Sequence, residues 1–123
     1  MPGIFALPAG IGDVITGLLA LPAAIAVAAG TIEGRKAAIA WNIFGLLDFT
    51  VAISLGLATS PGPLQLIVPS IPNTTAGIYP TVMIPAFAVP TSILLHVLSL
   101  RQLYRRARRA ATAAPALARA RQA

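Results

Sequence analysis

Two carboxylates and one imidazole stand inside otherwise apolar sequence: Asp13 in LPAGIGDVITGLLALPAA, Asp48 in WNIFGLLDFTVAISLG and His96 in TSILLHVLSL. At mid-depth in a bilayer an aspartate costs roughly 2.5 to 3.5 kcal/mol on insertion scales, so each needs a partner. Two such carboxyls held close together in a low dielectric share a proton and titrate as a unit, which is proton- or cation-handling chemistry. An imidazole near them relays protons or ligates a haem iron or a metal. A plainer reading has each acid capping a Pro- or Gly-loosened turn or bonding a neighbouring Ser, Thr or Asn. His96 then bonds Asn42 or a backbone carbonyl.

Spacing says where these groups point. Gly10, Asp13, Gly17, Ala20 and Ala24 recur at helical intervals and put Asp13 on a stripe of small residues, and Gly45, Asp48, Ala52 and Gly56 repeat the arrangement. Membrane helices approach closely along small stripes, so both acids are expected to face a bundle interior. His96 shares a face with Ala88, Ser92 and Ser99. The intramembrane polar candidates are therefore Asp13, Asn42, Asp48, Ser92 and His96.

Other chemistries find little support. The chain has no cysteine and one histidine, which supplies a single nitrogen ligand, so neither a metal site nor a cofactor is expected. Gly10-Ile11-Gly12 lacks the third glycine and the preceding strand of a dinucleotide loop. No serine has a base and an orienting group beside it, and Gln65, Ser70 and Asn73 offer little to a membrane enzyme. The expectation leans away from catalysis.

The elements that must position these residues are membrane spans. Of the 123 residues 57% are hydrophobic and 10% charged, mean hydropathy is +0.83, and no Asp, Glu, Lys or Arg occurs between Asp48 and Arg101. The reading is an all-α integral membrane bundle of three transmembrane helices, at about 7–29, 38–59 and 79–100, with an interfacial loop and a basic C-terminal helical tail. The transmembrane unit is expected over roughly 1–104 and the tail over roughly 105–123. A cleaved signal peptide is disfavoured because no Lys or Arg precedes Arg35. Thr31 to Lys36 reads as a polar turn, and Trp41 as part of an interfacial aromatic belt. Pro61, Pro63, Pro69 and Pro72 exclude a continuous helix from Ser60 to Ile78, leaving LQLIV to lie on the bilayer surface. Within that loop Asn73-Thr74-Thr75 matches a glycosylation acceptor but reads better as a turn. Pro85 and Pro90 are expected to kink the third span, and helix to continue through RQLYRRARRA until Pro115, beyond which the Ala-rich end frays. With these boundaries Asn42 and His96 share a level and should touch. Asp13 and Asp48 fall one to two turns apart, linked through water, Thr16 or Ser92.

Net charge is +6 with a pI near 11.5, and seven of the nine basic residues lie from Arg101 onward. Arg35 and Lys36 occupy the other end of an apolar span, so the charges follow the positive-inside rule better than they follow nucleic-acid binding. Arg101, Arg105, Arg106, Arg108 and Arg109 are expected to anchor the chain to anionic lipid headgroups of the bilayer, with no nucleic-acid partner. That gives a multi-pass protein of the cell membrane with its N-terminus outside and its C-terminus cytoplasmic. An outside N-terminus without a leader suggests a further span upstream in a longer protein.

LPAGIGDVITGLLALPAA, EGR, WNIFGLLDFTVAISLG and IPAFAVPTSILLHVLSLRQL together resemble a group of uncharacterised bacterial multi-pass membrane proteins, over most of Leu7 to Leu103. Members carry additional apolar sequence before the Gly-Asp segment. The resemblance implies a membrane bundle and brings no activity, cofactor or ligand. Two functions follow from the residues: a non-enzymatic bundle acting as a homo-oligomer or with another membrane subunit, or a small proton- or cation-coupled transporter or channel subunit using Asp13, Asp48 and His96.

Overall fold

The structure is a computed structural model that describes the backbone of residues 1–120, with side-chain surroundings as far as residue 113. Among these residues are three helices long and apolar enough to cross a membrane. They are α1 (Gly3–Ala28), α2 (Ile32–Thr59) and α3 (Val89–Ala120), the last entered through a π-helical turn at Ile84–Ala88. The fold is all-helical with three candidate spans, as the sequence implies. Residues 121–123, counted above in the tail, lie outside the described residues.

The boundaries shift, and the shifts have local causes. Thr31 accepts a hydrogen bond from the Gly34 N–H on Oγ1 at 3.0 Å and Glu33 occupies the first turn, so the segment expected as a turn is capped into the start of α2. The connection from α1 shrinks to Ala29–Thr31, where Gly30 takes the left-handed backbone with φ of 71°. At the other end of α1, helix begins at Gly3 rather than Leu7, with Pro2 at the N-cap and its carbonyl accepting from the Phe5 and Ala6 N–H groups at 3.1 and 2.9 Å.

α1 and α2 form an antiparallel hairpin whose contact face on α1 is Phe5, Ala9, Gly12, Thr16, Ala20, Ala23 and Val27, all buried or half-buried. The approach is closest near the tip. A Cβ added to Gly34 would overlap the backbone carbonyl of Ala26. α3 packs on α2 as well, through His96 and Leu103 with half-buried Ile93, Ser99, Leu100 and Ala107 between and beyond them. α2 is therefore the central helix.

The third span starts at Ile84, since residues 79–82 are turns, and it carries its irregularity between two prolines. The Val89 N–H reaches back to the Ile84 carbonyl, an i to i−5 bond, which widens the helix where Pro85 and Pro90 interrupt the regular ladder. Beyond the membrane-length stretch, α3 continues through the arginines and passes Pro115 to reach Ala120, so helix does not stop at that proline.

From Ser60 to Met83 the chain folds back over the end of α2. The Leu66 and Ile67 N–H groups both donate to the Ala58 carbonyl at 2.9 Å, satisfying a helix-terminal acceptor. Asn73 is 2% exposed and donates through Nδ2 to Thr59 Oγ1 at 2.9 Å, which closes the glycosylation reading at that position. Leu64, Leu66 and Val68 remain exposed, the apolar surface expected of an interfacial loop.

Gly34→Ala tests the hairpin contact. Alanine is favoured over glycine inside a helix by about 0.8 to 1.0 kcal/mol, yet the overlap with the Ala26 carbonyl should outweigh it and leave a net loss of about 1 to 3 kcal/mol. Gly77→Ala, where an added Cβ meets nothing within 4 Å, should be neutral. Thermal unfolding in detergent compares them, and a Gly34→Ala as stable as Gly77→Ala would contradict a hairpin fixed by this contact.

Candidate functional site

The polar side chains of the spans gather on α2. Asn42 is fully buried, donates through Nδ2 to its own helix at the Ala38 carbonyl (2.7 Å) and to Ser99 Oγ of α3 (3.0 Å), and places Oδ1 3.0 Å from His96 Nδ1. The Asn42 to His96 contact expected from the sequence is present. With the carboxamide oxygen as acceptor, His96 donates through Nδ1, and this bond selects that tautomer. The ring fits because residue 45 is glycine: a Cβ there would lie 2.6 Å from His96 Cε1 and Nε2.

Trp41 stands beside this trio. Its ring centroid is 4.7 Å from that of His96, and its indole Nε1 donates to the Thr16 carbonyl of α1 at 2.9 Å. Because α2 starts at Ile32 rather than near Ala38, Trp41 and Asn42 lie about 14 to 15 Å along the helix.

The acids are nearer each other than the sequence suggests. The Asp13 and Asp48 carboxyls are close enough to act on one another directly, where a link through water, Thr16 or Ser92 was expected. The earlier start of α1 explains it: Asp13 is about 15 Å from the Gly3 end and Asp48 about 16 Å from the Thr59 end, so the two share a level. Glycine again supplies the seat. A Cβ on Gly12 would occupy the position of the Asp48 carboxyl.

Asp48 is half-buried between α2 and α1, as its stripe implied. Asp13 is exposed, against expectation. Helix rotation accounts for the difference, since α1 turns Gly12 and Thr16 toward α2, leaves Asp13 at the exposed edge of that face beside Asp48, and carries Gly10 and Gly17 farther round to the outer side. Thr16 Oγ1 is buried without a hydrogen-bond partner among the described residues. Ser99, two turns beyond Ser92 on the same face, is the serine that joins the Asn42 network. Asp13, Asp48 and His96 do not converge as a metal-holding trio among the described residues.

The residues that build this site fall inside one recognised unit: a family model described as a domain of unknown function, DUF8737, matches residues 1–104. The chain belongs to this family. No curated protein and no solved structure matches it. The DUF8737 segment holds Asp13, Asn42, Asp48, His96 and Ser99, whereas Arg105, Arg106, Arg108 and Arg109 lie beyond its end.

In this DUF8737 chain the Asn42 network ties α2 to α3, so its loss should be felt as stability. Asn42→Leu leaves His96 Nδ1 and the Ser99 hydroxyl without their buried partner and should cost about 1 to 3 kcal/mol, whereas Ser99→Ala removes one bond and should cost about 0.5 to 1.5 kcal/mol. Chemical or thermal unfolding in detergent ranks the two. Equal stability of Asn42→Leu and the native chain would mean that the network does not hold α3 in place.

Proposed function

We propose that this protein is a non-enzymatic subunit of a membrane assembly, meeting a second copy of itself through the outer side of α1. The observation that carries the reading is Asp13. It is exposed on the surface of the single chain, at the depth of Asp48, and beside it Gly10 and Gly17 have nothing within 4 Å of an added Cβ. A carboxylate facing acyl chains costs roughly 2.5 to 3.5 kcal/mol, and a packed neighbour relieves that cost by removing it from lipid. Glycines that no contact within the chain requires leave room for such a neighbour's backbone. The arginine-rich end of α3 and the Arg35/Lys36 end of α2 support an orientation with the C-terminus in the cytoplasm and the N-terminus outside. The resemblance noted from the sequence points to a bacterial cell membrane, with the arginines against anionic headgroups.

A second reading, a proton- or cation-coupled transporter or channel subunit, is favoured by one observation: the direct approach of the Asp13 and Asp48 carboxyls. Two acids in that arrangement share a proton in a low dielectric, and they would do so at the proposed boundary between copies. His96 of α3 rests against Gly45, one turn of α2 before Asp48, as a third titratable group of the bundle.

Detergent-solubilised mass distinguishes the assembly from a monomer. The native chain should run as an oligomer, and Gly17→Leu should shift it to the monomer while keeping its helical content; a native monomer would remove the proposal. Proton flux in liposomes tests the second reading separately. Flux that falls at least about tenfold in both Asp13→Asn and Asp48→Asn supports transport through the pair, and equal flux in all three proteins excludes it.

A further inference from the structure

We propose that the crevice between α1 and α3, at the basic end of the bundle, binds the phosphate headgroup of an anionic lipid, with Arg106 as its anchor. A cavity of about 350 Å³ opens there over the face of α2. Its two walls differ in chemistry. Ala20, Ala24 and Val27 of α1 form an aliphatic wall, and Ser99, Gln102 and Arg106 of α3 face it from the other side.

The α3 residues recur at i, i+3 and i+7, one helix face, and each brings a hydrogen-bond donor. Arg106 offers a guanidinium, whose planar fork suits a phosphate better than a point charge does. Gln102 offers a carboxamide N–H. Ser99 is set as a donor by the network behind it: Asn42 uses Nδ2 on Ser99 Oγ and on the Ala38 carbonyl, so the serine oxygen accepts and its own proton is left to point away. No carboxylate lines the crevice among the described residues. Glu33, the acid near this end, is held by Lys36 at 3.2 Å.

A row of donors without a balancing acid selects an anionic, acceptor-rich group. The aliphatic wall selects something attached to it. A free phosphate would satisfy the α3 side and leave Ala20, Ala24 and Val27 uncovered, whereas a lipid covers both with headgroup and acyl chain. Arginines at the mouth of a groove between spans provide the matching electrostatics. Every residue the proposal uses belongs to one copy: Ala20 and Ala24 continue the Gly10, Asp13 and Gly17 stripe toward the basic end, the donors all belong to α3, and a lipid affinity that depends on Arg106 is read separately from oligomer mass.

Native mass spectrometry of the full chain in detergent, titrated with phosphatidylglycerol or with phosphatidylcholine of the same acyl chains, tests it. Phosphatidylglycerol should bind at least about tenfold more tightly, and Arg106→Ala should abolish about tenfold of that affinity, the scale of a lost charge-assisted hydrogen bond. Gln102→Leu should weaken binding in the same direction. Arg108→Ala, on the opposite side of α3 over the Tyr104 ring, should weaken it by less than Arg106→Ala does, by no more than the general attraction of one basic residue to an anionic headgroup. Equal affinity for the two lipids, or an equal loss in Arg106→Ala and Arg108→Ala, overturns the proposal. So does binding of inorganic phosphate with the same dependence on Arg106 when phosphatidylglycerol does not bind, which would assign the crevice to a soluble anion.

Discussion

The contact between Gly34 and the backbone carbonyl of Ala26 sets the separation of α1 and α2 at their joined ends, and each polar contact deeper in the bundle depends on that separation. Lipid tails are as apolar as leucine, so no exclusion of water draws these helices together; what draws them is dispersion between closely approaching surfaces and hydrogen bonds that have nowhere else to go. Small residues along α1 keep the approach close. Only at that distance does the Trp41 indole reach a carbonyl of α1, and only there does the Asp48 carboxyl meet Gly12.

α2 is suited to the central position because it is the one span without an internal proline. α1 carries Pro8 and Pro22, and the approach to α3 carries Pro85 and Pro90 around a π-helical turn. Each proline leaves a carbonyl without its helical partner, which lipid cannot supply. An unbroken central helix gives the two interrupted ones a straight surface to lie on. Even its outward hydroxyls are internally satisfied, with Thr50 donating to the Leu46 carbonyl at 2.8 Å and Ser54 to the Thr50 carbonyl at 2.7 Å.

The number of spans and their apolar cores were legible from hydropathy, because a bilayer of fixed thickness demands long uninterrupted apolar runs. The Asn42 and His96 contact was legible too, since Asn42 lies six residues after Lys36 and His96 five before Arg101, a level that does not depend on where the helices start or stop. What hydropathy could not place was the phase of α1. Gly10, Asp13 and Gly17 form as good a small stripe as Ala9, Gly12, Thr16 and Ala23, and in a chain this rich in Gly and Ala the two faces differ by one residue's rotation. The Asp13 and Asp48 level was missed because α1 starts at Gly3 rather than Leu7, and the early start of α2 was missed because polar residues at a helix start, Thr31 to Lys36 here, look like a turn until the capping bond of Thr31 is recognised. The T-x-x-G spacing, with Glu33 inside the first turn, was the signal available.

Trp41 is the chain's single tryptophan, and it touches α1 through its N–H and α3 through its ring. That arrangement makes the protein spectroscopically self-reporting. Departure of α1 frees the indole N–H and alters the emission wavelength, whereas departure of α3, or protonation of the imidazole against which the ring rests, alters the emission intensity by changing collisional and charge-transfer quenching. One chromophore thus reads two helix junctions in separable channels, with no label attached to the chain.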